Sequence, residues 1–314
     1  MTRGSNPGRL PDFLVIGAAK AGTTALHEYL RQHPQVCMSR SKEPRFFAFD
    51  QKPPDFRGPR DRTIFNRDVI WRLEDYRRQF TGARPDQVVG EVTPRYLSTP
   101  GTAERIRRLL PDARFVAILR QPADRAWSQF AMRRRDGFES CATLEEAIAD
   151  GPRRAAEHWS SGHYFDRGRY ASQLSSYFEL FPRERFRIYL YDDLSKDPRG
   201  LFRDLFGFLG VDSKFVPDMS RRPNPSGDLR NPVLRWFWTR PGARSFLRPF
   251  LPKSLRKRVS SFVIERALIR REMPSETRRW LTELYRDEVS RLETLIGRDL
   301  SAWLPVAGAD DDSH

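Results

Sequence analysis

The stretch PDFLVIGAAKAGTTALHEY, Pro11 to Tyr29, decides the fold. Phe13-Leu14-Val15-Ile16 is a short apolar run between Pro11 and Gly17, the pattern of a buried strand. A small-residue turn follows, Gly17-Ala18-Ala19-Lys20-Ala21-Gly22, and then Ala25, Leu26, Tyr29 and Leu30 recur on one face of a helix. Strand, glycine loop and helix in that order make an anion cradle. Loop N–H groups point inward, and the helix N-terminus adds partial positive charge.

The loop differs from an ATPase loop. Gly17 and Gly22 have the Walker spacing, but Thr23 stands where the Walker lysine belongs and the lysine comes earlier, as Lys20. Thr23 and Thr24 open the helix with hydroxyl donors. No strand end offers an acidic residue in the pattern of a magnesium partner. The anion is therefore expected to be met by lysine, hydroxyls and backbone, without metal.

Composition narrows the partners. The 314 residues hold 56 Lys and Arg against 41 Asp and Glu, a net charge of +15, which favours anionic ligands. Arginine is scattered rather than gathered in one run, so nucleic acid is not expected. Cys37 and Cys141 are too few for a disulfide framework. The segment MTRGSNPGRLPDF has no apolar h-region, and no run of about 18 apolar residues exists to span a membrane. A cytoplasmic protein is the expectation.

Outward from the first unit, Val36–Met38, Gln87–Glu91, Arg114–Leu119 and Phe186–Tyr191 read as strands. Trp71–Phe80, 101–110, Gln121–Arg135, Ala171–Phe181 and Pro198–Leu209 read as helices, and 50–66 as a surface loop. The alternation predicts an α/β fold, a mostly parallel central sheet flanked by helices in three layers. Residues 233–272 are basic and aromatic, read as a packed helical appendage, as an acceptor lid, or as a contact with an anionic membrane surface. Ser275 is expected to cap one long amphipathic helix to about Ile296. The expected organisation is a flexible N-terminus (1–10), one domain over 11–304 (an α/β core, 11–232, and a helical part, 233–304) and a disordered tail (305–314).

Ligands in open α/β sheets sit beyond the carboxyl ends of the strands. Lys20 with Thr23 and Thr24, Glu43, Glu91 and Arg120 all fall at such ends, and Ser128 follows Arg120 on the next helix. Two anion sites result, Lys20–Ala25 and Arg120 with Ser128, which suits a nucleotide phosphorylated at both ribose ends.

Lys20-Ala21-Gly22-Thr23-Thr24, Lys42-Glu43-Pro44-Arg45-Phe46-Phe47 and Leu119-Arg120-Gln121-Pro122-Ala123-Asp124-Arg125-Ala126-Trp127-Ser128 resemble the PAPS-dependent sulfotransferases, in the branch of the heparan sulfate sulfotransferases and their bacterial relatives. Arg167-Gly168-Arg169-Tyr170-Ala171-Ser172-Gln173-Leu174 fits the same branch, and the likeness spans roughly 11–232. The resemblance implies a P-loop NTPase-like fold, PAPS as sulfuryl donor and PAP as product. It implies that Lys20, Ala21, Gly22, Thr23, Thr24 and Ala25 hold the 5′-phosphosulfate end. Arg120 and Ser128 would hold the 3′-phosphate, with Arg230 in a loop over it. Glu43 would be general base and Lys20 the catalytic cation, with Lys42, Glu91 and Arg95 near the acceptor. In this chain Glu91-Val92-Thr93-Pro94 stands where heparan-sulfating relatives often have Glu-Lys-x-Pro, and the C-terminal cysteine pair of some relatives is missing. The acceptor stays open: a carbohydrate, a lipid or a small natural product, sulfated on a hydroxyl or less readily an amine.

Other readings are simpler. Glu43 can be a solvated loop carboxylate paired with Lys42, Glu91 a structural partner of Arg120 or Lys20, Arg120 a salt-bridged strand end, Tyr170 a core aromatic rather than an adenine stack. His163 is an alternative base; the histidines have no metal-ligand spacing. Against the sulfotransferase stand a P-loop nucleotide kinase and an inactive basic binder of acidic polymers.

Overall fold

The computed structural model describes residues 8–59, 61–67, 69–220, 228–229, 268–269 and 272–304. Arg230, most of 233–272 and the segment 305–314 lie outside the described residues, so the readings placed on them stay as stated.

Five strands form the central sheet: β1 (Phe13–Gly17), β2 (Val36–Met38), β3 (Val88–Val92), β4 (Arg114–Leu119) and β5 (Phe186–Leu190). Their order is β2-β3-β1-β4-β5, and every neighbouring pair is parallel. The two central strands are the most apolar stretches, and Phe13 to Ile16 and Phe115 to Leu119 are buried throughout. That is what a parallel strand covered on both faces requires. Phe13 pairs in register with Gly90 of β3, and a Cβ at Gly90 would stand 2.2 Å from the Phe13 ring. The glycine makes room for the ring.

The helices of the core are α1 (Thr23–Leu30), α2 (Leu73–Arg78), α3 (Thr102–Leu109), α4 (Pro122–Arg135), α5 (Leu144–Ala149), α6 (Gly151–Ala156), α7 (Tyr170–Phe178), α8 (Tyr191–Lys196) and α9 (Pro198–Leu209). Local chemistry explains several boundaries. α4 has proline in its first turn, and the Gln121 side chain accepts from Asp124 N–H at 2.7 Å. Thr143 and Glu146 form a capping box that starts α5. Gly210, with φ 76°, ends α9.

Two expectations change. The C-terminal helix is two helices, α10 (Ser275–Leu284) and α11 (Arg286–Ile296), separated at Tyr285. Ser275 does not cap: Pro274 holds that position and no side-chain cap bond forms. The break coincides with Tyr285, whose hydroxyl donates to Phe165 O at 2.8 Å and fixes the chain there. Both helices pack on the core: Ser172 donates to Glu288 at 2.8 Å, and Arg278 pairs with Asp124 at 2.8 Å. The expected surface loop 50–66 is not plain loop either. It contains a π-helical turn, Asp61–Phe65, whose Asp61 is buried and accepts from Gly58 N–H and Ser160 N–H, both at 2.9 Å. Between 228 and 269 the described residues are one short antiparallel pair, Asp228–Leu229 with Leu268–Ile269. Cys37 and Cys141 are free thiols. No helix among the described residues is long and apolar enough to cross a membrane.

Candidate active site

A cleft of about 530 Å³ opens at the carboxyl ends of the strands. Its lining brings together Lys20, Gly22, Thr23, Thr24 and Ala25 from the β1–α1 loop, Lys42 and Glu43 after β2, Arg95 after β3 and Arg120 after β4. Nine of the thirteen candidates from the sequence thus meet in one place; Ala21, Glu91 and Ser128 do not line it, and Arg230 lies outside the described residues. Ala21 lies in the same loop but is fully buried.

The first end of the cleft is the anion cradle. Gly22 takes the left-handed conformation, φ 98°, at the N-cap of α1 with no side-chain cap, and no acidic residue sits in the helix's first turn. The N–H groups of Thr23 and Thr24 have no partner within the helix, by the geometry of any helix start. Lys20 also has a left-handed backbone, φ 73°, and its ammonium rests 3.4 Å from Met132 Sδ rather than on a carboxylate. Burial, with Arg135 and Arg120 adding repulsion, lowers the Lys20 pKa to about 8. Arg120 donates to Lys20 O at 3.3 Å and lies over the Tyr191 ring, 5.0 Å from its centroid. Ser128, on α4, does not line the cleft; its hydroxyl is buried with no hydrogen-bond partner.

Glu43 stands on a constrained loop. Glu43 and Arg45 have φ of 61° and 63°, and the loop is tied to β3 by Glu43 N–H on Val92 O at 3.0 Å and Arg45 N–H on Thr93 Oγ1 at 3.4 Å. The carboxylate accepts from Lys42 Nζ at 2.7 Å and Arg45 Nη2 at 3.5 Å. Burial pushes this carboxyl up, but the two cations outweigh it and hold it below the ordinary value. Glu43 is therefore ionised at neutral pH, as a general base must be.

Glu91 is not an acceptor contact. Its side chain is 0 % exposed and outside the cleft lining. Thr93 Oγ1 donates to it at 2.6 Å and Tyr96 OH at 2.9 Å, and Tyr76 OH is a third partner. Tyr96 OH also accepts from Phe47 N–H at 3.2 Å, so through Thr93 and Tyr96 Glu91 steadies the stretch that follows Glu43. Burial raises its pKa to about 7. Tyr170 is a core residue that donates to Arg120 O at 3.0 Å, the simpler of its two readings. His163 is outside the cleft lining, its ring 3.2 Å from Trp159 O. Val92, at the departure from the Glu-Lys-x-Pro pattern, is buried in β3.

Sequence reading missed the second end of the cleft. Phe65, Arg133 and Arg167 line it; Gln129 lines the cleft too, and Met132 and Tyr191, also missed, sit at the first end beside Lys20 and Arg120. A signal existed on α4: Gln129, Met132 and Arg133 sit three and four residues apart, on one face. None existed for Phe65; Arg167 stood in a stretch that fits the family branch but carried no site role, because it reaches the cleft from a segment distant in the chain.

Comparison with known proteins agrees with this geometry. The Sulfotransferase family matches residues 11–215. Mouse heparan sulfate glucosamine 3-O-sulfotransferase 6 is 31% identical over 211 residues, 66% of this chain and 55% of that protein. Human bifunctional heparan sulfate N-deacetylase/N-sulfotransferase 3 is 30% identical over 308 residues, 94% of this chain and 31% of that protein. The chain thus spans about half, or less, of the length of these curated relatives. A crystal structure of a sulfotransferase from Alicyclobacillus acidocaldarius aligns with a TM-score of 0.74 at 33% identity, covering 94% of this chain and 99% of that one. On a match over most of its length and a solved relative aligned almost end to end, the chain belongs to the sulfotransferase family.

Proposed function

We propose that the protein transfers a sulfuryl group from PAPS to an acceptor hydroxyl, releasing PAP, in a reducing compartment such as the cytoplasm. One observation supports this most: an ionised Glu43, held by Lys42 and Arg45, shares a cleft with an uncapped helix N-terminus and a lysine that lacks a carboxylate partner. A base for the acceptor proton and a cation for a leaving phosphate are the two groups that sulfuryl transfer needs.

The residues present fit a nucleotide with phosphates at both ribose ends. Gly22 to Ala25 and Lys20 would take the 5′ end, and Arg120 the 3′-phosphate. The Ser128 hydroxyl is a buried donor without a partner, but it lies outside the cleft lining, so Arg120 carries the 3′-phosphate role in this reading. PAPS supplies an activated sulfuryl group when bound. Lys20 neutralises charge where the leaving phosphate develops it, an effect of about 3–4 kcal/mol for comparable donors. Glu43 takes the acceptor proton, and Lys42 and Arg45 keep it available for that.

Calorimetric titration with PAP in the presence of a chelator tests the donor site. Binding that weakens at least tenfold in Arg120→Ala is expected. No PAP binding, with ATP bound only when magnesium is added, would replace this reading with a nucleotide kinase.

A further inference from the structure

Among the described residues the cleft is lined by seven cations, Lys20, Lys42, Arg45, Arg95, Arg120, Arg133 and Arg167, against one carboxylate, Glu43. Lys20 and Arg120 are assigned above to the donor, and Lys42 and Arg45 to Glu43. Three arginines remain. Among the described residues none of Arg95, Arg133 and Arg167 has an ion pair, and Arg95 Nε and Arg133 Nε are buried with no hydrogen-bond partner. Arg167 has one bond, to Ser160 O at 3.1 Å. Asp61, a buried carboxylate whose charge acts on Arg95, already accepts from Gly58 and Ser160.

Two of these guanidinium groups meet Arg45 at one aromatic ring, and Arg167 lines the same cleft. Arg45, Arg95 and Arg133 lie 4.6, 4.9 and 5.9 Å from the centroid of the one Phe65 ring. Packing on a ring does not need three like charges, and a buried polar group without a partner is destabilising. Burial, then Arg45 and Arg133, lower the Arg95 pKa to about 10; burial, then Arg95 and Arg133, drive that of Arg167 well below its ordinary value. Such mutual repulsion is relieved by an anion. Glu43 joins the two ends: Lys42 beside it repels Lys20, and Arg45 beside it repels Arg95.

We propose that Arg95, Arg133 and Arg167, closed over by Phe65, form an anion subsite for the acceptor, which therefore carries a carboxylate or oxoanion next to the hydroxyl presented to Glu43. This rests on the proposed sulfuryl transfer and names the substrate class of that site. The planar, forked donors of arginine suit either anion.

The test uses PAP-loaded protein and matched hydroxyl probes: glucuronate and glucose 6-sulfate against glucose, and 4-hydroxyphenylacetate against 4-hydroxyphenylacetamide. Calorimetry is expected to show at least tenfold tighter binding of a charged member in one of the pairs. The glucuronate and sulfate arms separate carboxylate from oxoanion. Arg95→Gln and Arg133→Gln should each shrink that ratio at least fivefold while the PAP Kd changes less than twofold, which also certifies the fold. Neutral probes binding as well as charged ones, no charged probe binding at all, or an unchanged ratio in both variants would overturn the subsite. Loss of PAP binding by the unaltered protein would instead strike the donor reading.

Discussion

The two ends of the cleft are both cationic, but they are built differently. The Lys20 end comes from one contiguous loop, and most of its anion-binding capacity is backbone: a left-handed Gly22 and an uncapped α1. The Arg95 end comes from four distant segments: the π-helical turn with Phe65, the turn after β3, α4, and the turn before α7. Its capacity is all side chain. The difference suggests a division of labour. A backbone cradle is hard to alter by substitution and suits a fixed donor. A side-chain cluster changes one residue at a time and suits an acceptor that differs among relatives.

The largest effect should come where the ends meet. Glu43→Gln keeps the shape of the loop and removes the base, so turnover with PAPS should fall about 10²–10⁴-fold while PAP affinity stays within a few-fold. Single-turnover transfer and calorimetry on the same sample check this. A variant that loses less than tenfold would mean that Glu43 is only a partner for Lys42.

Lys20→Met is next, at about 10²–10³-fold in turnover, a loss belonging to the donor end alone. The same variant should be more stable than the parent at pH 7, because the folded state holds this ammonium against a pKa lowered to about 8 by burial and by Arg135 and Arg120. The sign follows from proton binding: between pH 8 and 10.5 the unfolded chain holds the Lys20 proton and the folded chain does not. Parent stability therefore gains on the variant as pH rises through that window. Thermal melts at pH 7 and pH 10 decide it. PAP affinity of the parent should also weaken above pH 8, and that of Lys20→Met should not. A pH-independent parent would remove the Lys20 ammonium from the donor site.

How far the molecule was legible follows the same line. The sheet was readable because β1 and β4 are continuous apolar runs that only a strand buried on both faces tolerates. The cradle was readable because its function is local: loop, glycine and helix start are adjacent in sequence. Asp61 and Phe65 were read as loop because their segment is rich in polar residues and proline, and long-range contacts such as the bonds of Asp61 to Ser160 fold it inward. Glu91 was read as a site residue because it ends a strand at the ligand edge. Its pleat, however, points it at Tyr76, Tyr96 and Thr93 rather than at the cleft. The long C-terminal amphipathic pattern hid the break at Tyr285, because that residue also fits the apolar stripe.

Glu91 gives the smallest effect on chemistry and the cleanest on stability, since it touches neither end but holds the loop between them. Its carboxyl is fully buried, and its folded pKa is raised to about 7 from 4.5. Below pH 4.5 both the folded and the unfolded chain keep the proton, and no penalty arises. As pH rises from 4.5 to 7 the unfolded chain loses it first, so the parent loses stability, on the order of 3 kcal/mol in total. Glu91→Gln cannot ionise and escapes that loss, though its amide must replace an acceptor used by Thr93, Tyr96 and Tyr76. The difference in melting temperature, variant minus parent, should therefore climb by several degrees between pH 4.5 and 7.5. PAP affinity should stay unchanged, because no Glu91 atom faces the donor end. A flat difference would show a carboxylate already ionised by its three hydroxyl partners. A loss of PAP binding would tie the Glu43 loop to the donor cradle more tightly than the separate construction of the two ends implies.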